Sequence, residues 1–90
     1  MPRHERTFVI VNSLGLHARA AAQLVQTANR FRSEIHVEKD GMQVNGKSIM
    51  GVLTLAAAKG SSIVVLVEGE DADSAMTALA KVIENGFGEK

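Results

Sequence analysis

The sequence is poor in the residue types that build several common kinds of functional site. It has no cysteine, one proline and three aromatic residues, and its ten basic residues are balanced by ten acidic ones. Without cysteine the chain forms no disulfide, no thiolate zinc site and no thiol nucleophile, which suits a reducing cytoplasm. Zero net charge and few aromatic rings argue against a nucleic-acid-binding surface, because such a surface needs basic patches and base-stacking side chains.

Histidines and long apolar runs are also sparse. His4, His17 and His36 lie too far apart in the sequence to supply paired metal ligands on one helix turn. No apolar run approaches the ~18 residues that span a bilayer, and the N-terminal segment lacks a signal-peptide core. The prediction is therefore a cytoplasmic, monomeric protein with no metal, no cofactor, no nucleic acid and no membrane insertion.

What the chain does contain is enough for one hydrophobic core. Its 90 residues are 46% hydrophobic, which predicts a single domain over 1–90. A domain of this size buries roughly 60–65% of the surface that its unfolded chain exposes, so little interior remains for a deep cleft. We therefore expect a shallow functional site.

The hydrophobic periodicity predicts seven elements in the order β-α-β-β-α-β-α. Asp40-Gly41 is a type I′ hairpin signal, Ser48 is a helix N-cap, and Gly60 is read as the left-handed cap that ends the second helix. The predicted strands are 7–11, 34–38, 42–44 and 63–67, and the predicted helices are 17–32, 49–57 and 72–83.

The connections between these elements restrict the topology. A helix between the first two strands makes them parallel, with room for a later strand between them. The fourth strand is apolar on both faces and fits that gap, antiparallel to both neighbours. The expected fold is a two-layer α+β domain with three helices on one face of a four-stranded antiparallel sheet.

His17 is the strongest candidate for chemistry because it directly precedes the first helical pattern. The free N–H groups at a helix N-terminus attract anions, and a neutral imidazole nitrogen is a nucleophile. A phosphoryl group on His17 could be cradled by the backbone of Ala18 and Arg19 and bound by the Arg19 guanidinium. The alternative from spacing alone is that His17 only caps the helix.

Two segments carry a family resemblance: GLHARAA at 15–21 and KSIMGVL at 47–53. With the element order and length, they resemble the HPr family, histidine-containing phosphocarriers of the bacterial phosphoenolpyruvate-dependent phosphotransferase system. The resemblance covers essentially the whole chain and implies an open-faced β-sandwich. It departs at Ala20, where most members have proline.

The resemblance also implies a function. Enzyme I would phosphorylate His17 on Nδ1, Arg19 would stabilise the phosphoryl group, and an EIIA-type protein would receive it. Such a protein is a stoichiometric carrier, not an enzyme. In many members the serine matching Ser48 is a regulatory target of HPr kinase/phosphorylase. The predicted docking face for these partners comprises Leu16, Ala22, Ile49, Met50 and Leu53 around His17.

Alternatives stay open. The turn at 12–15, the segment 56–60 and the ending at 85–88 are similar to the nitrogen-type branch, NPr, in which a regulatory EIIA receives the phosphoryl group instead of a sugar-uptake system. A second alternative is a regulatory binding module that uses phosphorylated Ser48 while His17 is silent. A third, a small-ligand or RNA-binding α+β domain, is disfavoured by the charge and the scarcity of aromatic residues.

Overall fold

The computed structural model describes residues 1–89, which form four strands, three helices and a short turn near the C-terminus. The observed element order is the predicted β-α-β-β-α-β-α. The strands are β1 (Arg3–Val9), β2 (Glu34–Lys39), β3 (Met42–Asn45) and β4 (Ser62–Glu68), and the helices are α1 (Ala18–Ala28), α2 (Ile49–Thr54) and α3 (Ala72–Glu84). A 3₁₀ turn, Gly86–Gly88, follows α3 and is called the tail turn here.

The strands form one sheet in the order β1-β4-β2-β3. β4 pairs antiparallel with both β1 and β2, so the prediction of a central fourth strand is confirmed. Alternate β4 residues from Ile63 to Val67 are buried, whereas Val64 and Leu66 between them are only half-buried. β4 is apolar on both faces because it lies in the middle of the sheet, although one face of that sheet is open.

The core lies between the sheet and the helices, and β3 adds to it only the half-buried Val44, which packs against its edge. Burial of these aliphatic and aromatic side chains is the main stabilising contribution, because apolar surface leaves water. Its most deeply buried large side chains are Ile10, Leu24, Val37, Val52, Ile63, Val65, Val67, Leu79 and Ile83.

The first strand begins earlier than its sequence suggests. The prediction started it at Thr7, but Arg3 already pairs with Glu68 and His4 with Val67 of β4. His4 also contacts Asp73 at the start of α3, so this N-terminal segment is attached to both the sheet and a helix. Backbone pairing to a long central strand overrides the polar character of this segment.

The second helix ends earlier than predicted. It stops at Thr54 with Leu55 as C-cap, and Ala56 then adopts a left-handed φ of 49°. Gly60 does not cap this helix, because its N–H donates to the Ile10 carbonyl at 2.8 Å in the turn before β4. The chain leaves the helix because residues 56–58 must reach the loop in front of α1.

Two further predictions concern local geometry. Asp40 and Gly41 have φ values of 51° and 83°, as the predicted type I′ hairpin requires. The first helix ends at Ala28, four residues before its predicted end, and the chain turns at 29–33 towards β2. None of the helices within residues 1–89 is long and apolar enough to cross a membrane.

Candidate functional site

The loop before α1 is shaped by close contact with the chain that follows α2. Gly15 has a φ of 66°, and a Cβ atom there would lie 2.3 Å from the Ala57 carbonyl oxygen. The N–H of Leu16 donates to the same oxygen at 2.8 Å. Leu16 itself is only 3% exposed, so its assignment to the docking face was wrong. Its side chain anchors the loop in the core.

His17 is the N-cap residue of α1 through its backbone alone. Its φ and ψ of −76° and −178° are extended, and its carbonyl accepts the Ala21 N–H at 2.8 Å. The imidazole forms no capping hydrogen bond with its own helix, which removes the reading of His17 as a side-chain cap. The first N–H groups of α1 therefore keep their capacity to bind an anion.

A carboxylate from the far end of the chain holds the His17 ring instead. Nε2 of His17 hydrogen-bonds Oε2 of Glu89, which lies 72 residues later. The other oxygen, Oε1, accepts a hydrogen bond of 2.8 Å from Nδ2 of Asn12. The same nitrogen of this buried asparagine donates to the Gly15 carbonyl at 2.8 Å. Asn12 thus joins the C-terminal segment to the loop before α1.

These contacts favour the ionised form of Glu89. The hydrogen bond from Asn12 lowers the pKa of the Glu89 carboxyl below its ordinary value, and the nearby His17 and Arg19 act in the same direction against partial burial. An ionised carboxylate only accepts hydrogen bonds, so Nε2 of His17 carries the proton in this contact. A neutral ring with a proton on Nε2 has its free electron pair on Nδ1.

The tail turn brings Glu89 to this position. Gly86, Phe87 and Gly88 have φ values of 61°, 58° and 78°, so three successive residues are left-handed and the chain reverses sharply after α3. Phe87 tolerates this strained conformation with its ring buried in the core. The sequence analysis used these residues only as part of the ending at 85–88, without assigning them a role at the site.

Arg19 is exposed on the first turn of α1, near the imidazole. Its guanidinium forms no ion pair with the side chains of residues 1–89, although its charge acts on Glu89. A shallow groove of about 610 Å³ lies alongside, and Arg19, Ser13, Gln23 and Glu89 contribute to its wall. Nowhere in residues 1–89 do three potential His or carboxylate ligands gather around a possible metal position.

Ser48 is the N-cap of α2, as predicted. Its Oγ accepts the Gly51 N–H at 3.0 Å, and its carbonyl accepts the Val52 N–H at 3.0 Å. The preceding Lys47 is fixed as well, because its Nζ donates to the Phe31 carbonyl at 2.7 Å beyond the end of α1. The loop that carries Ser48 is thereby attached to the C-terminal end of α1.

The residues assigned to the docking face differ in exposure. Met50 is 74% exposed and Ile49 is 41% exposed, which leaves two large apolar side chains in water on α2. Ala22 and Leu53 are half-buried, and Leu53 packs against the core. Leu14, which was not singled out from the sequence, is 70% exposed in the loop before α1.

Comparison with known proteins identifies the family. A family model described as the PTS HPr component phosphorylation site matches residues 4–85. The chain belongs to the HPr family. Members of this family are phosphocarriers of the phosphotransferase system (PTS), so this chain is a carrier and not a catalytic enzyme.

Individual relatives agree with this assignment along nearly the whole chain. The phosphocarrier protein HPr of Xylella fastidiosa strain Temecula1 is 51% identical over 89 residues, covering 99% of this chain and 98% of the relative. HPr of Neisseria meningitidis serogroup B is 49% identical over 94% of this chain and 96% of its own. The crystal structure of HPr-C-His from Thermoanaerobacter tengcongensis superposes with a TM-score of 0.93 at 48% identity, over 97% of this chain and 98% of that one.

Within this HPr-family chain, sequence reasoning singled out His17 and Arg19 but missed Asn12 and Glu89. Asn12 was interpreted only as a turn former, and nothing local links either residue to His17. One weak signal exists: two glycines around an apolar residue can reverse the chain and return the following carboxylate to the domain. Only the tertiary contact reveals where that carboxylate goes.

Proposed function

We propose that Nδ1 of His17 accepts a phosphoryl group from phosphorylated enzyme I and passes it to an EIIA-type protein. The observation that carries this proposal is the orientation of the ring, which turns away from its own helix and binds Glu89 through Nε2. That contact leaves Nδ1 as the nitrogen with a free electron pair. The site is shallow, which suits a group that must enter the active sites of successive partners.

The helix start supplies stabilisation for the transferred group. The backbone N–H groups of Ala18 and Arg19 belong to the first turn of α1 and have no acceptor within that helix. A phosphoryl group bound there gains hydrogen bonds and the favourable end of the helix dipole. The Arg19 guanidinium adds charge-assisted hydrogen bonds to the phosphoryl oxygens as the P–N bond forms and breaks.

The docking surface that we assign to the partners surrounds His17 and extends along α2. Its apolar members are the exposed Ile49 and Met50, with partly exposed Ala22 and Leu53 at its inner side. An exposed apolar patch on a small domain marks an interaction site. The flexible side chain of Met50 suits a surface that must accept enzyme I and an EIIA protein in turn.

We further propose that Ser48 is a regulatory phosphorylation site for an HPr kinase. Its half-buried hydroxyl already accepts a backbone N–H at the start of α2, so a phosphate there can keep this acceptor role. The modification adds about two negative charges next to the exposed Met50. Phosphorylation of Ser48 therefore weakens docking of enzyme I without unfolding α2.

The test for His17 is phosphorylation with enzyme I and phosphoenolpyruvate. We expect an acid-labile, base-stable phosphate on the wild-type chain and on His36→Ala, and none on His17→Ala. Labelling of His17→Ala, or its absence from the wild type, contradicts the proposal. Onward transfer to a sugar-type and a nitrogen-type EIIA, measured side by side, shows which branch the carrier serves.

The test for Ser48 uses ATP and an HPr kinase. We expect an acid-stable phosphate on the wild-type chain and on Ser62→Ala, a control serine at the start of β4, but none on Ser48→Ala. An active kinase that leaves the wild-type chain unlabelled contradicts this part of the proposal.

A further inference from the structure

Glu89 is a third ionisable group at the site, beside His17 and Arg19, and the proposed acceptor role of His17 does not by itself explain its position. Its side chain is only 14% exposed, and both of its oxygens have partners. Three left-handed residues and a buried Phe87 ring bring it back to α1 from the far end of the chain. Backbone strain of this kind is typical of functional sites, so the contact between Glu89 and His17 is a candidate for a functional role.

We infer that Glu89, held by Asn12, is a positioning residue that keeps the proton of His17 on Nε2 and thereby makes Nδ1 the nucleophile. The inference rests on the proposed acceptor role of His17. Its basis is geometric: one carboxylate oxygen accepts from the His17 ring, and the other accepts from a buried amide that is itself fixed to the Gly15 carbonyl.

The chain of hydrogen bonds sets the direction of donation at each contact. The Asn12 amide nitrogen approaches two oxygen acceptors, Gly15 O and Glu89 Oε1, and an NH₂ group has two protons to donate. The ionised Glu89 carboxylate then has only acceptor capacity left for His17. Nε2 is therefore the donor, and the ring cannot rotate to exchange its two nitrogens without losing this contact.

The same arrangement assists the transfer chemistry without any proton movement. The Nδ1 electron pair attacks phosphorus, the Nδ1–P bond forms, and the bond from phosphorus to the donor breaks with its electron pair returning to the donor. The ring now carries a positive charge with its proton still on Nε2, and the Glu89 carboxylate offsets that charge. In the onward step the Nδ1–P bond breaks, its electron pair returns to Nδ1, and the ring is neutral again.

The contact between Glu89 and His17 also leaves separate positions for the carboxylate and for the phosphoryl group. The carboxylate binds the Nε2 edge of the ring, while the free N–H groups of α1 and the Arg19 guanidinium remain for the phosphoryl oxygens. Glu89 therefore acts on the transferred group only through His17. A charge-assisted hydrogen bond of this kind implies a loss of about tenfold or more in transfer rate when the carboxylate is removed.

The first measurement is the tautomer of His17 in the full chain without phosphate, from ¹⁵N shifts of the histidine rings by NMR at neutral pH. We expect His17 to carry its proton on Nε2 in the wild type and in Glu84→Gln, a control that alters another C-terminal glutamate, which pairs with Arg6. In Glu89→Ala the Nδ1-protonated form should rise severalfold. A wild-type ring protonated mainly on Nδ1, or an unchanged ratio in Glu89→Ala, overturns the inference even if the protein is phosphorylated normally.

The second measurement compares transfer by the same variants with enzyme I and an EIIA protein. Glu89→Ala should lower the maximal rate about tenfold or more with a smaller change in the half-saturating concentration, and Glu89→Gln should fall between it and the wild type. Urea unfolding of each variant shows that the fold is retained. Rates of Glu89→Ala equal to those of Glu84→Gln overturn the inference, whereas an unlabelled wild type contradicts the acceptor role of His17 and leaves the tautomer result to decide the role of Glu89.

Discussion

At the start of α2, Ser48 Oγ accepts the Gly51 N–H at 3.0 Å, whereas at the start of α1 the His17 imidazole leaves its own helix and contacts Glu89. Both residues use their carbonyls alike, to accept the N–H four positions later. The side chain thus makes the difference. The Ser48 side chain satisfies one N–H group at the start of its helix, whereas the His17 side chain leaves the first N–H groups of α1 available for a ligand.

The difference teaches how one small domain separates structural and chemical uses of a helix N-terminus. A capped helix start is stable by itself and can carry part of a partner surface, as α2 does at Met50. An uncapped start forgoes the stabilisation of about 1 kcal/mol that a good cap contributes, and it needs support from elsewhere. In α1 that support comes from Gly15, Leu16 and the loop at Ala57.

The largest expected effect comes from a substitution that disrupts the contact supporting the uncapped start of α1. Gly15→Ala places a Cβ atom 2.3 Å from the Ala57 carbonyl oxygen at a φ of 66°. Because strain and a backbone clash act together, we expect the free energy of unfolding to fall by about 3 kcal/mol. Urea denaturation measures it.

The control is Gly41→Ala in the hairpin, where φ is 83° but nothing lies within 4 Å of the added Cβ. Strain alone acts there, and the expected loss is about 1 kcal/mol. Equal losses for both variants would show that the contact with Ala57 does not support the start of α1.

Substitutions at the two N-cap positions test the difference between the two helix starts directly. Ser48→Ala removes the acceptor for Gly51 and should lower the free energy of unfolding by about 1 kcal/mol. His17→Gln removes no cap and keeps an N–H group that can donate to Glu89, so it should change the free energy of unfolding by less than about 0.5 kcal/mol. Ser48→Asp retains a cap acceptor and should restore most of the stability. Urea titrations measure these changes, and a larger loss of stability for His17→Gln than for Ser48→Ala contradicts the contrast between the two helix starts.

A smaller effect concerns how α2 ends. Ala56 adopts a left-handed φ of 49°, which strains a residue with a Cβ atom. Ala56→Gly should therefore stabilise the protein by about 0.5 kcal/mol, since relief of strain exceeds the added freedom of the unfolded chain. Ala58→Gly, two residues later and without a positive φ, should destabilise it by a few tenths of a kcal/mol. Thermal unfolding of the two variants should shift in opposite directions.

Helix α3 is a third case, because the side chain of its N-cap residue Asp71 also forms no hydrogen bond with its own helix. Its carboxylate accepts the backbone N–H groups of Arg32 and Ser33 at 2.9 and 3.0 Å, and the Ser33 hydroxyl as well. The Ser33 hydroxyl and the Arg32 N–H lower the pKa of the Asp71 carboxyl, so its contribution to stability is present above about pH 4 and is lost as the pH falls further.

Asp71→Asn should accordingly reduce the dependence of stability on pH in the acid range, measured as the urea midpoint from pH 7 down to pH 3. Glu70→Gln, which changes the neighbouring carboxylate, should leave the wild-type profile intact. Identical pH profiles of the urea midpoint for the wild type and Asp71→Asn would show that the hydrogen bonds from Arg32 and Ser33 to Asp71 do not stabilise the fold.

Much of the fold and part of the site were predictable because their signals are local. The hairpin at Asp40, the cap at Ser48 and the continuous apolar run of β4 each depend on residues a few positions apart. The family motif around His17 likewise lies in one segment. Errors arose where distant partners decide: β1 extends to Arg3 because β4 pairs with it, and α2 stops at Thr54 because the next residues must reach the loop before α1.

Leu16 illustrates the same limit within the site. As an apolar residue beside His17 it was assigned to the docking surface, but it is 3% exposed because its N–H binds Ala57 and its side chain enters the core. Periodicity cannot assign a loop residue to one face. Leu14, two residues earlier, is apolar as well and is 70% exposed.

The amino-acid sequence by itself determined the absence of thiol chemistry, the order of the elements and the two helix starts that carry His17 and Ser48, because each follows from composition or from neighbours along the chain. Only the tertiary structure decided which nitrogen of His17 is left free, since that depends on a carboxylate 72 residues away. The physical reason is that a hydrogen bond requires contact of about 3 Å, and folding alone brings Asn12, His17 and Glu89 within that range.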